Sequence, residues 1–184
     1  MSDDLRDRVL DATFAEVADN GLGGLTVEAI ATRAGSSRAT IYRHFPGGRE
    51  ELVETTIRRE VGRFFTTLSA EVPADGDLVA RVVALVVGAR RLLGEHEVLQ
   101  RLLEDEAEAL VPSLATVHPM IQDALVGVLR SELAVDGRSA DVDLAADHCA
   151  RMVLSYVGAA GTWDLDDPAQ VDAMVRSRIL AGIV

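Results

Sequence analysis

The sequence predicts an all-α protein of about nine helices. Segments of alternating β-branched residues are missing, aromatic residues make up only 4% of the chain, and Ala, Leu, Val, Glu and Arg dominate. Alternating β-branched and aromatic residues are typical of strands, whereas alanine and straight-chain residues favour helices. With 184 residues, 48% of them hydrophobic, the chain can form one ordinary domain or a small domain joined to a larger one.

The composition also indicates the cellular compartment of the protein. The N-terminal segment MSDDLRDRVL is polar and acidic, unlike a signal peptide, and no apolar run approaches the roughly 20 residues that cross a bilayer. Cys149 is the only cysteine, so it forms no intrachain disulfide and is expected to be a buried, small apolar side chain. We therefore expect a cytoplasmic protein.

Charge is distributed unevenly along the chain. The formal net charge is −12, yet the window from Thr26 to Arg49 contains four arginines and a single acidic residue, Glu28. Residues 1–63 carry 9 arginines and 11 acidic residues, whereas residues 64–184 carry 9 and 19. This asymmetry predicts two parts with different partners.

The first predicted helix, LRDRVLDATFAEVADNG, has an apolar stripe formed by Leu10, Phe14 and Val17. Gly21 is expected to end it. The following segment, GLGGL, is a flexible turn. A phosphate-binding loop is disfavoured there, because no strand precedes it and no Lys-Ser/Thr follows it.

A helix-turn-helix unit follows this turn. Thr26 is a natural N-cap for the short helix VEAIATRA, Gly35 ends that helix, and Ser37 caps the next one, RATIYRHF. After the turn PGG, a long helix begins at Arg49, with the sequence REELVETTIRREVGRFFTTLSAEV. Two short helices joined by a tight glycine turn are typical of this supersecondary unit.

The rest of the chain predicts longer, apolar-rich helices at 78–94, 95–111, 118–135, 141–163 and 168–183. Pro112 and Pro119 are expected to bracket an irregular turn, and Asp136–Gly137 to separate two of the helices. Asp167 should cap the last helix, with Gln170 at the capping-box position.

The short helix RATIYRHF has two different faces at 100° per residue. Ile41 and Phe45 point to one side and are expected to anchor the helix in a small core. Their predicted partners in that core are Leu10, Phe14, Ile30 and Leu52.

The opposite face of this helix suits the major groove of DNA. Ala39 permits close approach to a thymine methyl group, Thr40 can bond to phosphate or base, and Arg43 can bind guanine with two hydrogen bonds. Arg38 lies in the first turn, where recognition helices meet base edges. Phosphate contacts are expected from Thr26, Tyr42, His44 and Arg49. An ordinary solvated helix face would show a similar pattern, which the helical wheel alone does not exclude.

The stretch Leu25–Leu52, LTVEAIATRAGSSRATIYRHFPGGREEL, resembles the helix-turn-helix of the tetracycline-repressor (TetR) family of transcriptional regulators. The likeness lies in T-V-x-x-I-A, A-G and T-I-Y-x-H-F in register, and the preceding helix VLDATFAEVADNG is similar too. It covers roughly the first third of the chain. Ser36 stands where the family commonly has an apolar residue, and FPGGREEL is one residue longer than the frequent form of this turn.

The resemblance implies a helix-turn-helix DNA-binding domain over 1–49 and a helical effector-binding and dimerisation domain over 50–184. It implies a homodimer that binds a palindromic double-stranded DNA operator, usually as a repressor released by a small molecule. Arg49 would take the place of a lysine common in the family. The family's DNA contacts correspond to Thr26, Arg38, Ala39, Thr40, Tyr42, Arg43 and His44.

The C-terminal helices offer apolar faces for a dimer or an effector site. The final segment also resembles the family's C-terminal pattern, which implies a four-helix interface between two subunits, although the monomer's own core would explain the same faces. The dimer candidates are Leu154, Val157, Gly158, Gly161, Met174, Ile179 and Leu180. The candidates for lining an effector pocket, each also compatible with ordinary core, are Leu92, Leu103, His118, Met120, Leu125, Met152, Tyr156 and Trp163.

These lining residues would suit an apolar or amphipathic effector. Metal binding and catalysis find little support. The histidines His96, His118 and His148 lack the spacing of a zinc-binding helix, and no nucleophile or phosphate-loop motif is present. The acidic run Glu104–Glu106 is better explained as a solvated helix face than as a cation site.

We therefore expect no cofactor, no metal and no enzymatic activity. The sequence predicts a ligand-responsive transcriptional regulator. A helical ligand-binding or scaffold dimer that does not bind DNA remains the alternative.

Overall fold

The computed structural model describes residues 3–136 and 142–181, which form helices joined by turns and contain no strand. The all-α prediction is confirmed. None of the described helices is both long and apolar enough to span a membrane. The helices are α1 (Asp3–Asn20), α2 (Val27–Arg33), α3 (Arg38–His44), α4 (Gly48–Ala70), α5 (Leu78–Glu95), α6 (Glu97–Asp105), α7 (Ala107–Asp136), α8 (Val142–Gly158) and α9 (Pro168–Met174), followed by a π-helical turn (Val175–Ile179).

The chain packs as two compact units. The N-terminal unit comprises Met1–Gly62 and His96–His118, and the C-terminal unit comprises Arg63–Glu95 and Pro119–Val184. The N-terminal unit thus includes the first part of α4, the whole of α6 and the first part of α7 in addition to α1–α3. The functional division between residues 49 and 50 stays a prediction.

The predicted caps of the two short helices are confirmed. The hydroxyl of Thr26 accepts a hydrogen bond from the amide of Ala29 at 3.1 Å, and the hydroxyl of Ser37 accepts one from Thr40 at 3.1 Å. Each cap satisfies an amide that has no partner inside its helix. The starts of α2 and α3 are therefore fixed by local chemistry that the sequence shows directly.

Glycines follow the ends of α1 and α2, as the sequence predicts. Gly21 follows α1 with φ +72°, and its amide bonds to the Val17 carbonyl. Gly35 adopts φ +61° after α2, where the amide of Ser36 reaches back to Ala31 at 2.9 Å. These left-handed conformations are accessible to glycine without the Cβ penalty of other residues.

The core of the N-terminal unit anchors α3 as predicted. Ile41 and Phe45 are each only 1% exposed, and they pack in one cluster with Leu10, Ile30 and Leu52. α3 therefore has a buried side set by two large apolar residues.

Two features of this core differ from the sequence prediction. Phe14 is only partly buried, and its ring meets the imidazole of His96 edge-on with 6.2 Å between centroids. Leu102 of α6 and Leu110 of α7 join the buried cluster instead. Residues about 60 positions beyond α3 thus complete the core that supports it.

The prediction of a turn between Pro112 and Pro119 is wrong, because α7 runs through both residues from Ala107 to Asp136. Each proline removes one backbone donor, yet the 30-residue helix continues past both positions. Burial of Leu125 and Leu129 on this helix offsets the cost of the missing bonds.

The helix predicted over 95–111 is also interrupted, because Glu106 leaves helical geometry with ψ 31° between α6 and α7. The side chain of Glu106 bonds to backbone amides of the α1–α2 turn, so a tertiary contact coincides with the break.

The two C-terminal helices end earlier than predicted. α8 stops at Gly158, five residues before the expected end at 163, and Gly161 adopts φ +66° in the following turn. Glycine disfavours helix continuation, which explains the early stop. The helix predicted over 168–183 becomes a π-helical turn at Val175, with the amide of Leu180 bonded to the Val175 carbonyl. Positions 137, 141 and 182–183 of these predictions lie outside the described residues.

Asp167 caps α9 as predicted, and its carboxylate accepts a hydrogen bond from the amide of Ala169 at 2.9 Å. Gln170 departs from a capping box. Its Nε2 donates to the Asp167 carboxylate, and its Oε1 accepts from the amide of Asp164. Gln170 therefore ties the preceding turn to the helix start.

We predict that Cys149 is unreactive toward thiol reagents in the folded protein. The thiol is fully buried and donates to the Ile179 carbonyl at 3.6 Å, and burial raises its pKa to about 11. Because the thiolate is the reactive form, a chromogenic disulfide reagent at about pH 8 should modify Cys149 only as fast as the protein unfolds. Immediate titration of one thiol per native chain would contradict this assignment.

Candidate nucleic-acid interface

The buried side of α3 determines which side chains it presents. Ala39 and Arg43 are exposed and lie opposite Ile41 and Phe45 at 100° per residue, and Arg38 is exposed in the first turn of α3. Thr40 and His44 are partly buried at the margins of this surface, and Tyr42 is 43% exposed. All six predicted recognition-helix side chains are therefore at least partly accessible, and we call this set of residues the α3 outer face.

The two arginines of the α3 outer face are not neutralised by carboxylates. Within residues 3–136 and 142–181, neither Arg38 nor Arg43 forms an ion pair, and Arg43 lies 3.5 Å from the ring Nε2 of His44. An unpaired guanidinium can offer its fork of donors to phosphate or to guanine.

Tyr42 rests against the turn that follows α3. A Cβ atom on Gly48 would lie 3.0 Å from Cε1 of Tyr42, and Gly48 itself adopts φ +62°. Glycine is therefore needed at position 48 both for its backbone conformation and for the close approach of the ring. This contact holds the phenol at the edge of the α3 outer face.

Arg49 is bound to the turn before α2. Its Nε donates to the Leu25 carbonyl at 3.1 Å, and its Nη2 donates to the Leu22 carbonyl at 2.5 Å. Arg49 thus places a positive charge close to the start of α2, next to Thr26. Its contact with phosphate stays a prediction.

Arg33, by contrast, forms ion pairs with two carboxylates of the same chain. It bonds to Glu16 and to Asp19 of α1, each at 2.6 Å, and these hydrogen bonds, that to Glu16 first, raise the pKa of the guanidinium. One of the four arginines in the basic window therefore joins α1 to α2 instead of facing outward. The sequence gives no sign of this pairing, since the partners lie 14 and 17 residues away.

Arg6 is a candidate DNA contact that the sequence did not indicate. The guanidinium carbon of Arg6 lies 4.9 Å from the ring centroid of Phe45, a distance suited to a cation–π contact. Arg6 is exposed and borders the same shallow depression as Thr40 and His44. It therefore extends the positive surface from α3 onto α1.

Comparison with known proteins identifies the family. Residues 9–56, which contain most of α1 and all of α2 and α3, match the family of bacterial regulatory proteins described as the tetR family. An HTH-type transcriptional regulator of Mycobacterium bovis is 32% identical over 162 residues, covering 84% of this chain and 80% of the relative. The chain belongs to the TetR family.

Solved structures of TetR-family proteins share the fold along most of this regulator. The repressor QsdR of R. erythropolis superposes with a TM-score of 0.66 at 17% identity, covering 95% of this chain and 94% of QsdR. FadR of Bacillus subtilis, in complex with stearoyl-CoA, gives a TM-score of 0.56 at 19% identity and covers 92% and 97%. The protein is a DNA-binding transcriptional regulator and not an enzyme.

The pocket candidates of this TetR-family regulator fall into both units. Five of them belong to one apolar cluster in the C-terminal unit, namely Leu92, Leu125, Met152, Tyr156 and Trp163. Leu125 is buried, and the other four are partly buried. Met120 is a partly buried residue of the same unit, whereas Leu103 and His118 are exposed residues of the N-terminal unit.

The dimer candidates of the regulator divide into core and surface residues. Met174, Ile179 and Leu180 are fully buried in the C-terminal unit, so these side chains contribute to the monomer's own core. Leu154 and Val157 are partly buried, and Gly158 and Gly161 are exposed. A Cβ atom on either glycine would meet no atom within 4 Å, which leaves open space for the approach of another helix.

The acidic run of α6 shows no metal-binding arrangement. In the part of the chain that the structure describes, no three His, Cys, Asp or Glu side chains converge in a way that could hold an ion. Glu106 points instead at the α1–α2 turn.

Proposed function

We propose that this regulator is a repressor that binds a palindromic operator as a homodimer and is released by a small apolar or amphipathic molecule. The observation that carries the proposal is the α3 outer face, where Ala39 and Arg43 are exposed because Ile41 and Phe45 bury the opposite side, and where Arg38 is exposed in the first turn.

The α3 outer face has the chemistry to read bases. Arg43 binds guanine O6 and N7, the methyl group of Ala39 packs on a thymine methyl, and Thr40 bonds to a base or a phosphate. Arg38 lies in the first turn of α3, the part of a recognition helix that meets base edges. In this proposal α3 enters the major groove through these four residues.

Contacts with the DNA backbone surround this helix. The hydroxyl of Thr26 and the first backbone amides of α2 face one phosphate, and Arg49 adds a charge beside them. On the other side of α3, Tyr42, His44 and Arg6 contact the backbone. These contacts set register and supply affinity, and the bases supply specificity.

The homodimer is proposed to form through the surface portion of the C-terminal candidates. Leu154 and Val157 supply apolar area, and the open space at Gly158 and Gly161 lets a symmetry-related helix approach closely. The two copies of α3 then lie about 34–36 Å apart, in successive major grooves. The repressor acts on chromosomal DNA in the cytoplasm.

The effector is proposed to bind among the partly buried side chains of the C-terminal unit. Leu92, Met152, Tyr156 and Trp163 border one apolar cluster, which suits a hydrocarbon chain with a polar end. The stearoyl-CoA complex of FadR is one example of such a ligand in a protein of the same fold. Because effector and operator compete through conformation, each must weaken the other's binding by the same factor.

The test is selection of DNA by the purified wild-type protein from a pool of random duplexes at about 0.15 M salt. We expect an inverted repeat whose half-site centres lie about 10 base pairs apart or a multiple of that, bound by a dimer. Failure to enrich any sequence, together with no binding to random duplexes even at low salt, would refute the repressor and favour the scaffold dimer.

The release step is tested separately with stearoyl-CoA as the probe and by mass spectrometry of ligands that co-purify with the protein. An amphipathic effector should raise the Kd for the selected duplex, and that duplex should raise the effector's Kd by an equal factor. Equal effector affinity with and without DNA would contradict release by that compound.

A further inference from the structure

Charged side chains from outside the α1–α2 turn bind its backbone. Oε1 of Glu106 accepts a hydrogen bond from the amide of Leu22 at 3.1 Å, and Oε2 accepts one from the amide of Gly23 at 2.7 Å. Successive amides directed at one anion are a recurring anion-binding arrangement of the backbone. The segment GLGGL is therefore an anion-binding turn, and its anion is a carboxylate of the same chain.

The glycines of this turn make room for the carboxylate. A Cβ atom on Gly21 would lie 1.9 Å from Oε1 of Glu106, and one on Gly23 would lie 3.5 Å from Oε2. Gly21 also has φ +72°, which disfavours any side chain. The turn thus accommodates Glu106 through glycine at position 21 in particular.

Arg101 binds the adjacent end of α1. Its Nη2 donates to the Val17 carbonyl at 2.6 Å, and its Nη1 donates to the Ala18 carbonyl. The last carbonyls of a helix carry partial negative charge and have no partners within the helix. The guanidinium of Arg101 therefore binds the last carbonyls of α1, and the carboxylate of Glu106 binds the amides that follow that helix.

The α6–α7 corner holds Glu106 in place. The amide of Glu106 bonds to the Leu102 carbonyl and closes α6, and the Glu106 carbonyl accepts from the amide of Leu110 at 3.1 Å at the start of α7. The side chains of Leu102 and Leu110 are themselves buried in the core of the N-terminal unit. The carboxylate is therefore fixed relative to that core.

We propose that Glu106 is a positioning residue for DNA binding. By fixing the backbone of the α1–α2 turn, it sets the start of α2 at Thr26 before DNA arrives. α2 packs directly against α3, so the phosphate contacts of α2 and the base contacts of α3 are aligned in advance. This inference rests on the proposed function, in which the start of α2 and the α3 outer face contact the operator.

The decisive comparison is between Glu106→Gln and Glu104→Gln, measured on the duplex selected by the wild-type protein. Both variants remove one negative charge, but Glu104 is exposed and two residues away. Loss of an acidic charge favours DNA binding, so Glu104→Gln should bind as the wild type does or more tightly. Glu106→Gln should bind roughly tenfold more weakly, because a charge-assisted bond to the turn is lost.

Two further measurements separate positioning from mere stabilisation. Stoichiometric titration corrects each Kd for the active fraction, and circular dichroism establishes that each variant is folded. Hydrogen exchange should accelerate at the amides of Leu22 and Gly23 in Glu106→Gln and stay unchanged in α3. Faster exchange at these two amides with weaker operator binding is the result expected.

Three results would overturn the inference. Faster exchange with an unchanged Kd would make the contact a local stabiliser only. Equal shifts in Kd for both glutamine variants would make the effect one of charge alone. An unfolded Glu106→Gln protein would show that the carboxylate is needed for folding. If the wild-type protein selects no duplex, the proposed function itself fails, which is a different outcome from normal binding by Glu106→Gln.

Discussion

Replacing Phe45 by alanine is expected to destabilise the N-terminal unit by about 3–5 kcal/mol and to abolish operator binding. The ring is 1% exposed and packs in the same cluster as Ile30, Ile41 and Leu52. Its removal leaves a cavity beneath the C-terminal end of α3, which is only seven residues long and has little stability of its own. Urea unfolding of the wild type and the variant measures the first effect, and operator affinity measures the second.

Tyr42→Ala is the matched control for Phe45→Ala. It removes an aromatic ring from the same helix three residues earlier, but this ring is 43% exposed. The expected loss of unfolding free energy is below about 1 kcal/mol, because little buried area is lost. Equal destabilisation by the two substitutions would contradict the assignment of Phe45 as the anchor of α3.

Replacing Arg43 by alanine is expected to relax base preference by about 1–3 kcal/mol at one position of each half-site. Arg43 is exposed on the α3 outer face and has no carboxylate partner in the described part of the chain. Since a symmetric dimer presents the residue twice, both half-sites should lose the same base. Binding of Arg43→Ala to a set of single-base variants of the selected duplex measures this loss.

Arg49→Ala and Arg58→Ala serve as controls for charge. Arg49 is proposed to contact phosphate, so its loss should weaken all duplexes alike. The free energy of unfolding of the Arg49→Ala variant must also be measured, because Arg49 binds the Leu22 and Leu25 carbonyls and its loss removes these bonds as well as the charge. Arg58 is exposed on α4 and paired with Glu54, so its loss should change binding little. Unaltered base preference in Arg43→Ala would refute its role in reading bases.

The local features of the helix-turn-helix were predictable from sequence. Thr26 and Ser37 cap the nearest amides, and Gly35 relieves a left-handed turn, so each effect acts over a few residues. At 100° per residue, Ile41 and Phe45 lie about 40° apart, which placed them on one face without knowledge of their partners. Once Ile41 and Phe45 were assigned to the buried side, the helical geometry predicted that Ala39 and Arg43 would be exposed on the opposite side.

Long-range partners could not be predicted in this way. Glu106 looked like part of a solvated acidic helix, but it binds amides 83 and 84 residues earlier in the chain. Arg33 belonged to a basic window in sequence, yet it pairs with two carboxylates of α1. Charge patterns along a chain do not show which charges meet when helices pack.

The apolar C-terminal helices illustrate a second limit. A helix face made of Met174, Ile179 and Leu180 has the same pattern whether it packs inside a subunit or against a partner subunit. The structure places these three side chains in the core, with no exposed surface. The sequence pattern predicts that a helix has an apolar face, but only the packed structure shows which residues cover that face.

The central claim is that the α3 outer face reads DNA from the major groove. Methylation of the selected duplex with dimethyl sulfate tests it most directly, because the reagent marks guanine N7 in the major groove and adenine N3 in the minor groove. We predict that the wild-type protein protects one guanine N7 or more in each half-site, and that Arg43→Ala loses protection at one of them. Protection confined to adenine N3, or a guanine pattern unchanged by Arg43→Ala, would contradict the account.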